Sequence, residues 1–170
     1  NNFKFQNGSM TINDGTKYAS LFSEATGATF KNLTLENFYV DHTESQGIGF
    51  LVGFCTNCTM LNITSSGLYN DQNTGGLAYG AGSVVSVFSG GTMTNVSGTL
   101  QVTNCPQMQI GGIMGQGADF TATQVTGSVD LDSNSFPEWI GGIAGSINST
   151  TSSTISNSTG TLVAANGSWL

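Results

Sequence analysis

The chain has 170 residues, only 8% of them charged, with 24 Gly, 22 Thr, 20 Ser and 16 Asn. Arg is absent, all three lysines (Lys4, Lys17, Lys31) lie near the start, and the net charge is −7, so a phosphate-neutralising surface for nucleic acid is excluded. No apolar run approaches the roughly 20 residues of a membrane span, and no basic segment leads into an apolar one; any signal peptide is expected to have been removed or to lie outside this stretch.

Strand formers alternate with Gly and Asn, and no segment shows helical spacing. Gly8-Ser9-Met10-Thr11-Ile12 alternates polar with apolar and reads as the tail of a partial coil over 1–18. Coil 19–48 follows, with a small-residue anchor at Ala19-Ser20-Leu21-Phe22-Ser23 and a six-residue motif at Thr29-Phe30-Lys31-Asn32-Leu33-Thr34. Coil 49–81 repeats both, as Gly49-Phe50-Leu51-Val52-Gly53 and Thr59-Met60-Leu61-Asn62-Ile63-Thr64. Coil 82–110 has Gly82-Ser83-Val84-Val85-Ser86 and Thr92-Met93-Thr94-Asn95-Val96-Ser97; Gly75-Gly76-Leu77-Ala78 also resembles an anchor, which an insertion near Tyr79 to Gly82 would explain. Coil 111–140 has Gly111-Gly112-Ile113-Met114-Gly115 and Thr121-Ala122-Thr123-Gln124-Val125-Thr126, and coil 141–170 has Gly141-Gly142-Ile143-Ala144-Gly145 and Thr154-Ile155-Ser156-Asn157-Ser158-Thr159.

The amides at 32, 62, 95, 124 and 157 recur at intervals of 30, 33, 29 and 33 residues. Such a period signals a stacked architecture in which each repeat buries its apolar side only against its neighbours. A third segment (Gly98-Thr99-Leu100-Gln101-Val102, Gly127-Ser128-Val129-Asp130-Leu131, Gly160-Thr161-Leu162-Val163-Ala164) completes three short strands per coil. The expectation is an all-β parallel β-solenoid (β-helix): one domain over 1–170, about five coils of some 30 residues plus the partial coil, belonging to a longer chain or a filament. Its interior columns would be Leu21, Leu51, Val84, Ile113, Ile143; Phe30, Met60, Met93, Ala122, Ile155; and Leu100, Val129, Leu162.

Apolar residues flank each amide at −2 and +1, so alternation breaks there and a bend is expected, with Asn32, Asn62, Asn95, Gln124 and Asn157 stacked as a ladder of buried amides. Four of these also open glycosylation sequons (Asn32, Asn62, Asn95, Asn157), and four more sequons begin at Asn7, Asn57, Asn148 and Asn166. Glycans on ladder residues would lie only about 4.8 Å apart. Asn57, Asn148 and Asn166, in loop-like surroundings, are therefore the better acceptors for N-linked glycans, and Asn7 depends on its register.

Cys55 and Cys58 form a Cys-x-x-Cys, with Cys105 remote. Zinc would need more ligands than the one His, His42, supplies, and a thioredoxin-like reading lacks its βαβ context. A local Cys55–Cys58 disulfide and buried thiols are the readings left open.

The anchor, the Thr-apolar-x-Asn motif and the Gly-Thr-Leu-x-Val segment together resemble the GLUG-type repeats of bacterial and protist surface proteins. That resemblance implies a right-handed β-solenoid in an exported or cell-surface protein, often an adhesin or stalk, and carries over no catalytic residues; no cofactor is expected. Coil one departs at Ala19 and Ser23, and coil five at Ser158.

Catalysis is not expected: the acids are scattered, Asp130 and Asp132 form the closest pair beyond the first repeat, and His42 beside Asp41 and Glu44 lacks a nucleophile. The function read from the chain is an extracellular structural repeat, an adhesin stalk or fibre subunit capable of end-to-end self-association. The alternatives are carbohydrate or cell-surface receptor binding through Tyr69, Tyr79, Phe136 or Trp139, and ice binding through the column Thr29, Thr59, Thr92, Thr121, Thr154, beside which Lys31, Leu61, Thr94, Thr123 and Ser156 make a less regular row.

Overall fold

The computed structural model describes residues 2–13, 18–44, 47–71, 79–105, 108–132, 134–135 and 137–164, with only the backbone of 12, 13 and 42–44. Outward Thr and Ser alternating with inward Met, Val, Ile and Leu give each repeat one wet and one dry side, and only stacking can cover the dry one. A partial turn supplies β1 (Phe3–Gln6) and β2 (Ser9–Asn13). Then come β3 (Tyr18–Ala19), β4 (Phe22–Thr26) and β5 (Thr29–Glu44); β6 (Gly47–Gly49) and β7 (Val52–Asp71); β8 (Ala81–Gly82) and β9 (Val85–Thr103). The fourth coil holds β10 (Gln109–Gly111), β11 (Met114–Ala118) and β12 (Thr121–Leu131), and the fifth β13 (Trp139–Gly141), β14 (Ala144–Ile147), β15 (Thr154–Ser156) and β16 (Thr159–Ala164).

Among the described residues there is no helix, and each pairing is parallel, joining a strand to its counterpart one coil away. Strands β3, β6, β8, β10 and β13 make one sheet, and the other eleven make a second that bends around the coil. The chain is thus a parallel β-solenoid of about five turns. Thr29, Thr59, Thr92, Thr121 and Thr154 fall in one register line, so the intervals read from the motif are the true rung-to-rung offsets.

Two departures from regularity have local causes. Between Asn70 and Gly82 the chain spends 82 − 70 = 12 residues, against 111 − 103 = 8 for the equivalent Thr103 to Gly111; the extra residues precede the anchor at Gly82, which pairs with Gly49. The competing anchor at 75–78 lies outside the described residues. In coil one, Ala19 pairs with Ile48 rather than Gly49, while Phe22 still pairs with Val52, so this turn is one residue shorter than its neighbours.

The anchor glycines are needed by a tight turn. A Cβ at Gly111 would run into the Met114 carbonyl and come within 2.7 Å of the Ala144 Cα, and Gly49, Gly82 and Gly141 face the matching carbonyls of Val52, Val85 and Ala144. This turn also packs on the far side of the coil, where Gly98 and Gly127 abut the carbonyls of Gly112 and Gly142. Backbone meets backbone there, which explains the glycine that opens the third segment.

The core is one cluster running along the axis, including Met60, Met93 and Ala122 in one column and Leu100 and Val129 in another, all at most 1% exposed. Five expected interior positions are not fully buried: Leu21 is 42% and Ile155 37% exposed, and Phe30, Ile143 and Leu162 are half-buried, because each sits in an outer coil with less covering on one side.

Candidate functional site

The amide column occupies a corner of the coil. Asn32, Asn62, Asn95, Gln124 and Asn157 have φ between 50° and 56°, the left-handed region that Asn tolerates better than most side chains. This turn directs both −2 and +1 neighbours inward, as with Met60 and Ile63, and leaves the amide outside. The ladder exists: Asn62 Nδ2 donates to Asn32 Oδ1 and Asn95 Nδ2 to Asn62 Oδ1, both at 2.9 Å. It is not buried, however, since Asn62, Asn95, Gln124 and Asn157 are exposed and Asn32 half-buried. The hydroxyl two residues on points outward as well, and Ser97 Oγ donates to Thr64 Oγ1 at 3.2 Å. A corner Asn, an inward apolar residue and an outward hydroxyl spell a sequon, so the fold itself accounts for the sequons of this column.

A second left-handed corner lies five residues earlier, at Gly27, Asn57, Gly90 and Asp119, with φ of 62°, 54°, 71° and 53°. Asn57 is therefore inside a continuous strand at a corner and not in a loop, although its side chain is exposed. Asn7 lies outside the main column: Gln6 pairs with Glu36, and Asn37 Nδ2 donates to Asn7 Oδ1 at 3.5 Å, both residues being left-handed. Asn148 is exposed beyond the end of β14, in the three-residue expansion of coil five; Asn166 lies outside the described residues. The Asp119 carboxylate organises that expansion by accepting from Thr151 N–H and Thr150 Oγ1, each at 2.8 Å, and the first of these bonds is the main reason its pKa is lowered.

Cys55 and Cys58 are joined in a disulfide with a Cα–Cα distance of 6.0 Å, and both are buried. Cys105 is buried and not disulfide-bonded, and burial raises its thiol pKa, with Asp71 and Asp132 adding to the effect. No group of three or more metal-ligating side chains occurs among the described residues. Asp130 is exposed on β12, whereas Asp132 lies past the strand end, half-buried, accepting from Ser135 Oγ at 2.6 Å; the two are not a matched pair on one outer face. The side chain of His42 is outside the described set.

Of the aromatic residues considered for sugar contact, Tyr69 is fully buried, and burial, with Asp71 adding, raises its pKa. Tyr79 is 37% exposed, with its ring stacked on Tyr18 at 5.9 Å, and Trp139 is 50% exposed; Phe136 lies outside the described residues. Tyr18 itself is covered, and its pKa is pushed up to about 12, chiefly by burial. All five residues of the Thr column are exposed, but so are Lys31 and Leu61 beside it, which interrupt the flat hydroxyl face.

Two shallow troughs run along the axis. One, of about 330 Å³, follows the corner between the Asn32–Asn62–Asn95 and Thr34–Thr64–Ser97 rows. The other, of about 310 Å³, lies between the row Asn37, Ser66, Thr99 and the row Tyr39, Leu68, Gln101.

The architecture and these surfaces define a parallel β-solenoid repeat protein. No family model matches the chain, and neither a curated protein nor a solved structure matches it. The GLUG likeness remains one of short motifs, compatible with the solenoid.

Proposed function

We propose that the chain is a structural, non-catalytic repeat segment of an extracellular or cell-surface protein, an adhesin stalk or fibre subunit carrying N-linked glycans. The observation that supports this best is the unbroken parallel stack, whose outer side is made of hydroxyl and amide ladders with one ion pair, Lys4 to Glu36 at 2.8 Å, among the described residues. Such a surface is stable in water without much charge, and its length grows by adding coils. The Cys55–Cys58 disulfide fits an oxidising compartment. The outermost described strands carry exposed apolar side chains, Phe3 and Phe22 on one side and Ile147 and Ile155 on the other, and these suit contact with a further coil, in the same chain or in another copy. Surface biotinylation of intact cells, followed by electron microscopy of the purified chain, tests the reading. Labelling together with rods or end-to-end filaments is expected; a protein reached only after lysis would contradict the surface role.

A further inference from the structure

The register between β5 and β7 is broken, and the break builds a groove. Between Leu35 and Phe38 the register against β7 shifts: Leu35 pairs with Ser65 and Phe38 with Gly67, so Glu36 and Asn37 stand opposite Ser66 alone. This β-bulge puts Asn37 in the left-handed region, with φ of 57°, and leaves its side chain exposed. Bulges of this kind re-aim side chains and are concentrated beside functional sites.

The bulge lies at one end of the 310 Å³ trough, where Asn37, Ser66 and Thr99 face Tyr39, Leu68 and Gln101 across three successive coils. Tyr39 and Leu68 are half-buried and point outward, at positions where the later coils carry Asp130 and Val163. The Tyr39 hydroxyl accepts from Asn70 Nδ2 of the next coil at 3.5 Å, so the ring spans the boundary between two coils. No charged side chain lines the trough. It thus combines an aromatic ring and an aliphatic neighbour with two amides and two hydroxyls, each able to donate and accept. Apolar surface with a few convergent polar groups is the composition of a small-ligand site, and the volume is at the lower end of the range for one.

We propose that this trough binds a neutral glycan, with a pyranose C–H face against Tyr39 and Leu68 and its hydroxyls bonded by Asn37, Ser66, Thr99 and Gln101. A neutral lining disfavours anionic or cationic ligands, and rungs about 4.8 Å apart allow consecutive sugars of a linear oligosaccharide to meet consecutive coils. The corner trough offers no comparable apolar wall, because it is lined by amides and hydroxyls alone. The proposal deepens the adhesin reading and rests on it for where the sugar is met, but not for whether it is bound.

The test uses the purified chain against neutral gluco-, N-acetylgluco- and manno-oligosaccharides of two to four units, first on an array and then by titration with saturation-transfer NMR. Binding of at least one of them is expected, with Tyr39→Ala weakening it by about tenfold or more, as loss of a stacking ring predicts. Asn37→Ala, which must hold a left-handed backbone and is checked for folding by circular dichroism, and Gln101→Ala, at an exposed strand position, should each weaken it as well, while Thr161→Ala and Val163→Ala in the last coil should not. No binding at millimolar sugar, or binding unchanged in Asn37→Ala and Gln101→Ala, would overturn the proposal. Surface labelling with no sugar binding would remove the glycan site alone, and sugar binding by a protein that cells do not export would remove the surface role alone.

Discussion

Asn62 is the position at which the corner can be taken apart into its two contributions. Its side chain donates to Asn32 and accepts from Asn95, and its backbone is left-handed with φ of 54°. Both variants Asn62→Ala and Asn62→Gly remove two solvent-exposed amide bonds, each at the lower end of the usual range, for a loss of about 1 kcal/mol together. Alanine must also hold a left-handed backbone, costing about 1–2 kcal/mol. Glycine does so without strain but gives up about 0.4–1 kcal/mol through its freer unfolded chain. The alanine variant should therefore be the less stable of the two by about 0.5–1 kcal/mol, which at this chain length is about 1–4 °C in Tm. Thermal melts followed by circular dichroism measure both against the parent. Glycine equal to or worse than alanine would refute the left-handed corner, and no loss in either variant would refute the ladder.

Three further outcomes follow from the same geometry. Glycopeptide mapping after expression in a glycosylating host should find Asn148 occupied and should not find Asn62 and Asn95 occupied on the same molecule, since those two amides bond along one ladder. Asp119 is held below its ordinary pKa by bonds from Thr151 and Thr150, so its contribution to folding is present above the unfolded carboxylate value of about 3.9 and is lost as pH falls through the lower folded value; the protection of the Thr151 amide, its exchange rate relative to the intrinsic rate at each pH, should fall on acidification in the parent and be low at every pH in Asp119→Ala. Gly111→Ala forces a methyl against the Met114 carbonyl and the Ala144 backbone and should cost about 1–3 kcal/mol or more, whereas Gly27→Ala, with open space around it and only its φ of 62° to satisfy, should cost about 1 kcal/mol in the same denaturation assay.

The stack was readable because two independent signals, the Thr-apolar-x-Asn motif and the small-residue anchor, keep nearly fixed offsets, and the paired strands follow them rung by rung. The inward direction of Met60 and Ile63 around Asn62 was readable too, since apolar residues three apart require a bend. What the pattern did not give was the side of the wall on which the amide falls: a left-handed residue between two inward neighbours is pushed outward, and this depends on φ, not on residue spacing. The second corner carries no sequence motif, because its members, Gly27, Asn57, Gly90 and Asp119, share no side-chain chemistry, only tolerance of positive φ. Their constant offset of five from the amide (32 − 27, 62 − 57, 95 − 90, 124 − 119) was the available signal. Tyr69 looked exposed for a comparable reason: it sits near an insertion in the chain, yet alternation along β7 turns it inward, beside Asp71 and Cys105.

The in-register parallel stack is the claim on which everything else depends, and paired cysteines on neighbouring rungs test it directly. Thr92 and Thr121 are 29 residues apart in sequence, directly paired and both exposed, and neighbouring parallel strands about 4.8 Å apart bring their Cα atoms within disulfide range. Oxidation of the Thr92→Cys/Thr121→Cys variant should give an intrachain bond, seen as a faster-migrating monomer on a non-reducing gel and by mass spectrometry. The control Thr92→Cys/Asp130→Cys, whose second cysteine lies further round the coil, should not. Equal cross-linking of the two variants, or only intermolecular dimers from the first, would contradict the solenoid.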